Sequence, residues 1–216
     1  MHHLLEIWFG WVLHGGYLGI IALMAMESSI LPVPSEIVIP PAAFLAARGD
    51  LSFAGVIVAG TFGSYFGAAI MYWASRWLGR PFILRFGKFF FIGPDKLERA
   101  EIWLARYEAG GVFFARLLPV IRHLISIPAG IVRMNFWVFS VATIAGSALW
   151  CTVLTYLGAK AFQAQPDLIG NPDGLMNLMK AKLHWVVLFI AVLAVLYLLV
   201  LRLSAKRVPA EGVAVR

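Results

Sequence analysis

Four ionisable side chains lie inside apolar stretches of this sequence, where a charge is costly. Glu27 and Glu36 lie in ESSILPVPSEIVIPP, and Arg116 and Arg122 lie in GGVFFARLLPVIRHLISIPAGIVRMN. A charged side chain at the centre of a bilayer costs about 2.5 to 3.5 kcal/mol on insertion scales, so such charges are expected to pair with each other or to mark a transport site. We therefore predict that the two carboxylates and two guanidiniums converge in one buried pocket.

The residue types indicate the chemistry of that pocket. An arginine side chain is planar, stays protonated and can bind phosphate or carboxylate through two parallel hydrogen bonds. Two arginines reachable from the lipid would suit a phosphorylated lipid headgroup, and free amides at the N-termini of broken helices would strengthen anion binding. A glutamate buried beside them could bind and release a proton. We assign this role to Glu36 first and to Glu27 second.

Structural explanations of the same residues stay open. Arg116 and Arg122 could lie near a helix end and extend their charges to the membrane surface. Glu27 could have no role beyond capping a turn, and His123 could be hydrogen-bonded instead of relaying protons. Arg133 is interpreted as a charge at the cytoplasmic exit of its segment.

Composition sets the class of protein that must position these side chains. Of 216 residues, 61% are hydrophobic and 13% are charged, whereas soluble domains are about half apolar and about a quarter charged. The apolar residues are spread along the chain, which indicates one polytopic membrane domain over residues 1–216. The net charge of +7 is explained by basic loops that meet anionic lipid headgroups, and no nucleic-acid partner is expected.

Hydropathy divides the chain into spanning and interrupted segments. A spanning helix needs about 20 mostly apolar residues, and three stretches fit this well: residues 53–75, residues 136–158, and residues 185–201 with their flanks. Residues 7–26 form a weaker fourth stretch, because it contains His14 and several glycines. Residues 27–47 and 110–133 are equally apolar but are interrupted by prolines and charges. Residues 94–109 have the pattern of an amphipathic helix that lies on the membrane surface or packs on the protein itself. Residues 163–177 are rich in turn residues and are read as an outer loop.

Charge distribution then predicts the topology. Basic residues are concentrated between Arg76 and Arg106 and again after Leu201, and the positive-inside rule places both regions in the cytoplasm. Both regions can lie in the cytoplasm only if residues 110–133 enter and leave the membrane on the cytoplasmic side, while residues 27–47 enter and leave it on the outer side. The prediction is an all-α polytopic protein with two opposed re-entrant helical hairpins, about four spanning helices, and cytoplasmic termini.

The two interrupted segments are alike. LPVPSE in the first and LPVIRH in the second each place a Leu-Pro-Val turn before an ionisable residue, as an inverted repeat would. In transporters built from inverted repeats, broken helices meet near the membrane midplane and form the site. Broken backbone at that depth is tolerated only where protein or a water-filled cavity covers it.

Three longer motifs resemble the DedA family, also called the VTT or SNARE-associated domain family. They are ESSILPVPSEIVIPPAAFLA, GSYFGAAIMYWASRWLGR and FFARLLPVIRHLISIPAGIVRMNFWVFSVATIAGSALW, and together they cover about residues 27–160. The sequence departs from the family pattern at Leu117, where an aromatic residue is common, and at Ile39-Pro40-Pro41, which replaces a Leu-Pro step. Neither departure removes a charged position.

The resemblance implies an integral membrane protein with two facing re-entrant hairpins that moves lipids between leaflets. Some bacterial members are similar to translocases of undecaprenyl phosphate. The essential acidic and paired arginine positions of the family fall on Glu36, with Glu27 as a second acidic candidate, and on Arg116 and Arg122. Supporting roles are assigned to neighbouring residues of the same motifs: Pro32, Pro34, Ser35, Pro119, His123, Pro128 and Gly130.

The functional expectation is a translocase of a phosphate-bearing lipid, either undecaprenyl phosphate or a phospholipid, in the bacterial inner membrane and linked to protons. The alternative is a proton-coupled transporter of a small solute. No cofactor or metal is expected, and a homo-oligomer is compatible with the sequence. An enzyme such as a lipid phosphatase is disfavoured because His123 has no nucleophile or second-histidine motif beside it.

Overall fold

The computed structural model describes residues 2–29, 34–86, 102, 104, 107, 109–118, 121–164, 188, 192 and 195. In this part of the chain the regular structure is helical and contains no strand, which confirms the predicted all-α class. The helices are α1 (His2–Glu27), α2 (Ser35–Arg48), α3 (Phe53–Phe86), α4 (Ser126–Ile131) and α5 (Phe136–Ala164). Residues 109–116 are also helical.

Two long helices form the centre of the fold. Within α3 and α5, the segments Phe53–Gly79 and Phe136–Ala161 are long and apolar enough to cross a membrane, and they contain the predicted spans 53–75 and 136–158. Of the predicted span 185–201, residues 188, 192 and 195 are described, and each is helical. The predicted surface helix at 94–109 and the outer loop at 163–177 lie mostly outside the described residues.

The two long helices run antiparallel and pack closely. Tyr72 of α3 stacks on Phe139 of α5 with ring centroids 4.8 Å apart, and the hydroxyls of Ser64 and Ser147 are 3.2 Å apart. Their outer faces carry exposed apolar side chains at helical spacing: Val58, Phe62, Phe66 and Ile70 on α3, and Trp137, Val141 and Ile144 on α5. Continuous exposed apolar faces of this length suit hydrocarbon rather than water.

The first predicted span, residues 7–26, is interrupted. Gly16 has φ 51° and ψ −131°, a conformation that glycine adopts readily because it has no Cβ, so α1 consists of two helical parts. The second part, residues 17–27, lies antiparallel to α2: the Ser35 N–H donates to Glu27 Oε1 over 3.0 Å, and Gly16 faces Leu51 beyond the far end of α2. Residues 17–29 and 34–48 therefore form the two legs of one helical hairpin, which we call the first hairpin.

The first hairpin thus has different bounds from the predicted segment 27–47. It begins at Tyr17, because the chain changes direction at Gly16 as well as between Glu27 and Ser35, so that residues 17–27 form its first leg. Its second leg, α2, has 14 residues and is about 21 Å long at a rise of about 1.5 Å per residue. That length is too short for a bilayer core of about 30 Å.

A second hairpin is built from residues 109–118 and 121–131. Its helical part 109–116 packs on the first half of α5, where a Cβ at Gly146 would lie 2.7 Å from Arg116 Cβ. Its return leg, α4, packs on α3, where a Cβ at Gly130 would lie 2.3 Å from the Tyr72 carbonyl oxygen. The two hairpins approach from opposite ends of α3, since the first has its base beside Ser52 and the second has its return leg beside Arg76.

The chain has two halves, the first hairpin with α3 and the second hairpin with α5, and they pack in corresponding ways. A Cβ at Gly63 of α3 would meet the Ile21 carbonyl oxygen and Met24 Cβ, and a Cβ at Gly146 of α5 would meet the Phe113 carbonyl oxygen and Arg116 Cβ. Gly63 and Gly146 each precede a serine at the same distance from the start of their helix. In both halves, the first leg of a hairpin packs on the long helix that follows it.

Close helix packing makes Gly67 sensitive to substitution. A Cβ there would lie 2.2 Å from the Ala25 carbonyl oxygen and 2.9 Å from its carbonyl carbon, so Gly67→Ala must separate α1 from α3. Since overpacking of this kind costs about 1 to 3 kcal/mol, we expect a lower thermal unfolding midpoint in detergent. Gly10→Ala is the matched control, because a Cβ at Gly10 meets nothing within 4 Å. Equal midpoints for both variants would contradict the α1–α3 packing.

Candidate functional site

The inner ends of the two hairpins meet in a buried ion pair. Arg122 Nη2 lies 2.8 Å from Glu27 Oε2, and Arg122 Nη1 donates to Ser35 Oγ over 3.1 Å. The backbone N–H of Ser35 donates to the other oxygen of Glu27. Arg122 and Glu27 are each 1% exposed, and Ser35 is fully buried. The three residues therefore form a closed ring of hydrogen bonds that joins one hairpin to the other.

Local structure explains why Ser35 occupies this place. Pro34 precedes α2 in an extended conformation, with φ −69° and ψ 127°, and Ser35 is the first helical residue. The N–H groups of a first helical turn have no partner within the helix, and the N-terminal end of a helix favours a negative charge. The Glu27 carboxylate is therefore stabilised by both the N-terminus of α2 and the Arg122 guanidinium.

Trp150 of α5 completes the contact between the hairpins and the long helices. Its indole Nε1 donates to Ser35 Oγ over 3.1 Å, and its ring lies 5.4 Å from the Arg122 guanidinium carbon. Trp150 is completely buried, so this cation–π contact is formed away from solvent, where it is strongest. Sequence reasoning missed Trp150, because a tryptophan in an apolar helix gives no signal beyond packing.

Arg116 is buried beside this ring but has fewer partners. Its Nη2 donates to Ser126 Oγ over 2.8 Å, while its Nε and Nη1 have no hydrogen-bond partner among the described residues, and neither does Arg122 Nε. Arg116 is 1% exposed and is close enough to Arg122 and Glu27 for their charges to interact. The site therefore holds two guanidiniums, one directly paired carboxylate and three buried donor nitrogens without a hydrogen-bond partner among the described residues.

Glu36 and His123 border the ring without joining it. His123 Nδ1 lies 3.1 Å from the Glu27 backbone carbonyl oxygen. Glu36 is half-buried and makes no salt bridge within the described part of the chain, although its charge interacts with Glu27, Arg122 and His123. The structure thus brings Glu27 and Arg122 into contact and leaves Glu36 beside them.

The remaining motif residues are placed as follows. Pro128 and Gly130 are buried in α4, the return leg of the second hairpin, while Pro32 and Pro119 lie outside the described residues.

The structure adds a row of three buried serine hydroxyls that the sequence did not reveal: Ser28 Oγ is 2.8 Å from Ser64 Oγ, which is 3.2 Å from Ser147 Oγ. This row of hydroxyls links the first hairpin to both long helices at about the middle of each helix.

Comparison with known proteins agrees with this architecture. Residues 33–160 match the VTT domain, and these residues include α2, α3 and both arginines. The chain belongs to the VTT-domain family, also called the DedA family. The resemblance predicted from the three sequence motifs is therefore confirmed.

Several members of the VTT-domain family are similar along most of the chain. Undecaprenyl phosphate transporter A of Bacillus subtilis is 38% identical over 76% of this chain and 80% of its own length. The Staphylococcus aureus protein of the same name is 35% identical over 66% of this chain and 72% of its own length. A Lactococcus lactis relative named alkaline phosphatase-like protein is 32% identical over 89% of this chain and 87% of its own length. No solved structure matches the chain.

Proposed function

We propose that this protein moves a phosphate-bearing lipid, either undecaprenyl phosphate or a phospholipid, between the two leaflets of a bacterial cytoplasmic membrane. In this arrangement the two hairpins are re-entrant and the ring of Glu27, Ser35 and Arg122 lies near the membrane midplane. The observation that supports the proposal best is Arg116, a buried guanidinium with two nitrogens that have no hydrogen-bond partner among the described residues.

The charge balance of the site supports an anionic substrate. A buried donor without a partner costs about 1 to 3 kcal/mol, and more when it is charged. Glu27 pairs directly with Arg122, and the charge of Glu36 also interacts with Arg122, so it is the Arg116 guanidinium that favours a further negative group. A phosphate presents several acceptor oxygens and matches the planar donors of arginine.

The surroundings of the site support a lipid over a small solute. The long helices that enclose the ring present apolar side chains outward along their length, so hydrocarbon can reach their flanks. Two relatives are named undecaprenyl phosphate transporter A. A substrate with a phosphate and a long chain would use both the arginines and the apolar faces.

The geometry suggests how the site could face each leaflet in turn. The hairpins approach from opposite ends of α3 and are joined by the Glu27–Arg122 pair. An arriving phosphate competes with Glu27 for Arg122, which loosens the contact between the hairpins. Movement of one hairpin relative to the other then opens the site to one side, and return of the Glu27 carboxylate helps to release the lipid.

Leaflet exchange in liposomes tests the proposal. The purified protein is reconstituted with labelled undecaprenyl phosphate or labelled phosphatidic acid, and the accessibility of the label from outside is followed with time. We expect faster exchange than with the Arg116→Ala, Arg122→Ala double variant. Exchange at the rate of that variant for both lipids would refute the translocase. Uptake of a soluble phosphate without lipid exchange would favour the solute transporter.

Proton linkage is tested at Glu36. This half-buried carboxylate lies beside the ring without an ion pair among the described residues, so it can gain or lose a proton without breaking a salt bridge. We expect exchange by the wild-type protein to respond to an imposed pH gradient and exchange by Glu36→Gln to lose that response. A wild-type rate that is indifferent to the gradient would remove the proton from the mechanism.

A further inference from the structure

An apolar groove lies between the first leg of the second hairpin and the first half of α5. It has a volume of about 550 Å³, and its walls include Gly110, Phe113, Trp137, Val141 and Ala145. All of its lining residues are apolar. Trp137 and Val141 are exposed on the outer face of α5, so the groove opens to the side on which lipid would lie.

The groove borders Arg116, two of whose nitrogens have no hydrogen-bond partner among the described residues. Phe113 of its wall lies one helical turn before Arg116, and Ala145 is followed by Gly146, where a Cβ would lie 2.7 Å from Arg116 Cβ. The apolar groove and the base of the Arg116 side chain are therefore neighbours across one turn of helix. A ligand with an anionic head and an apolar chain would complement this arrangement.

The corresponding place in the first half is occupied by aromatic side chains. Ser64 and Ser147 each follow a packing glycine at the same distance from the start of their helix and are 83 residues apart, and this offset aligns α3 with α5. At the position of Ala145, α3 carries Phe62. At the position of Val138, α3 carries Gly55, where a Cβ would lie 2.6 Å from the Tyr17 ring. Ala145, the small residue that keeps the groove open, thus has an aromatic counterpart in the first half.

We propose that this groove holds the hydrocarbon chain of the transported phosphate-bearing lipid, with the phosphate at Arg116. This inference rests on the proposed function and adds a binding site for the chain. In this arrangement Ala145 keeps the groove open, and Phe113 separates the hydrocarbon chain of the lipid from its phosphate headgroup.

Filling the groove tests the inference. Ala145→Phe places in α5 the residue that α3 carries at the corresponding position, on an exposed surface where folding tolerates it. Ile144→Phe is the control, because Ile144 is the exposed neighbour and does not line the groove. With labelled undecaprenyl phosphate and labelled dioleoyl phosphatidic acid in phosphatidylcholine vesicles, we expect Ala145→Phe to slow exchange about tenfold, equivalent to about 1.4 kcal/mol, and Ile144→Phe to exchange like the wild type.

Photolabelling provides a second measurement that does not depend on the variant. Phosphatidic acid with a diazirine in its acyl chain is expected to label Val141 in preference to Val58, which is 66% exposed against 67% for Val141 and lies outside the groove. Equal labelling of the two valines would show general lipid contact only and would overturn the groove as a binding site.

The outcomes separate this inference from the proposed function. If Ala145→Phe exchanges like the wild type while Arg116→Ala is inactive, the groove is not the chain site and the translocase stands. If the wild-type protein exchanges neither lipid, both are overturned. Slower exchange by Ala145→Phe together with preferential labelling of Val141 supports both.

Discussion

Arg116→Ala is expected to reduce lipid exchange at least about a hundredfold while the protein remains folded. Hydrogen bonds to charged groups contribute about 1.5 to 3 kcal/mol each. Loss of two such bonds to a phosphate therefore removes at least about 3 kcal/mol, and each 1.4 kcal/mol is tenfold. Folding should tolerate the change because Arg116 has one hydrogen bond, to Ser126, and two nitrogens without partners among the described residues. The measurement is the exchange rate in liposomes at matched protein density.

Two further variants separate charge from geometry and from general effects. Arg116→Lys keeps a positive charge but loses the planar fork of donors, so we expect an exchange rate between those of Arg116→Ala and the wild type. Arg48→Ala removes an exposed arginine that pairs with Asp50 at 3.4 Å, and its rate should equal that of the wild type. A wild-type rate for Arg116→Ala would remove Arg116 from the substrate site.

Glu27→Ala is expected to have the largest effect on stability. Removing one partner of a buried ion pair costs about 3 to 5 kcal/mol, because the other charge stays buried without compensation. Arg122 would keep the Ser35 hydroxyl and the Trp150 ring, neither of which carries a negative charge, and Glu36 interacts with it without forming a salt bridge in the described part of the chain. For a chain of this size, about 1 kcal/mol corresponds to roughly 2 to 4 °C, so the unfolding midpoint in detergent should fall by roughly 6 to 20 °C.

The double variant Glu27→Leu, Arg122→Met serves as the matched control. Replacing a buried pair by apolar side chains of similar size is often neutral or stabilising, so much of the lost stability should return while lipid exchange stays absent. Asp50→Ala breaks an exposed ion pair whose side chains are about half exposed, and such pairs contribute at most about 1 kcal/mol. If Glu27→Ala melted no lower than Asp50→Ala, the buried contact between the hairpins would be contradicted.

The elements that could be predicted from the sequence are those governed by length and hydropathy. The long apolar segments of α3 and α5 contain the predicted spans because an uninterrupted run of more than about 20 apolar residues has few other solutions. The break in α1 was not predicted, because the positive φ of Gly16 is decided by packing, and the same segment holds further glycines. As a result, the first leg of the first hairpin was assigned to a spanning helix.

The choice of residues for the site followed from the cost of burying charge, whereas their pairing could not be predicted. Sequence reasoning placed Glu36 before Glu27, and the structure pairs Glu27 with Arg122. Adjacent helical residues point in directions about 100° apart, so Ser35 faces the ring while Glu36 lies beside it. Ser126 and Trp150 were missed because a serine and a tryptophan in an apolar segment do not stand out until a partner is placed opposite them.

The most direct test of the central claim is to compare two labelled lipids that differ only in the phosphate. Liposomes containing the wild-type protein would be loaded with undecaprenyl phosphate or with undecaprenol, and leaflet exchange would be measured in each. A site built around Arg116 and Arg122 predicts that the protein accelerates exchange of the phosphate-bearing lipid far more than exchange of the alcohol. Equal acceleration of both lipids, or acceleration that survives the loss of both arginines, would contradict it.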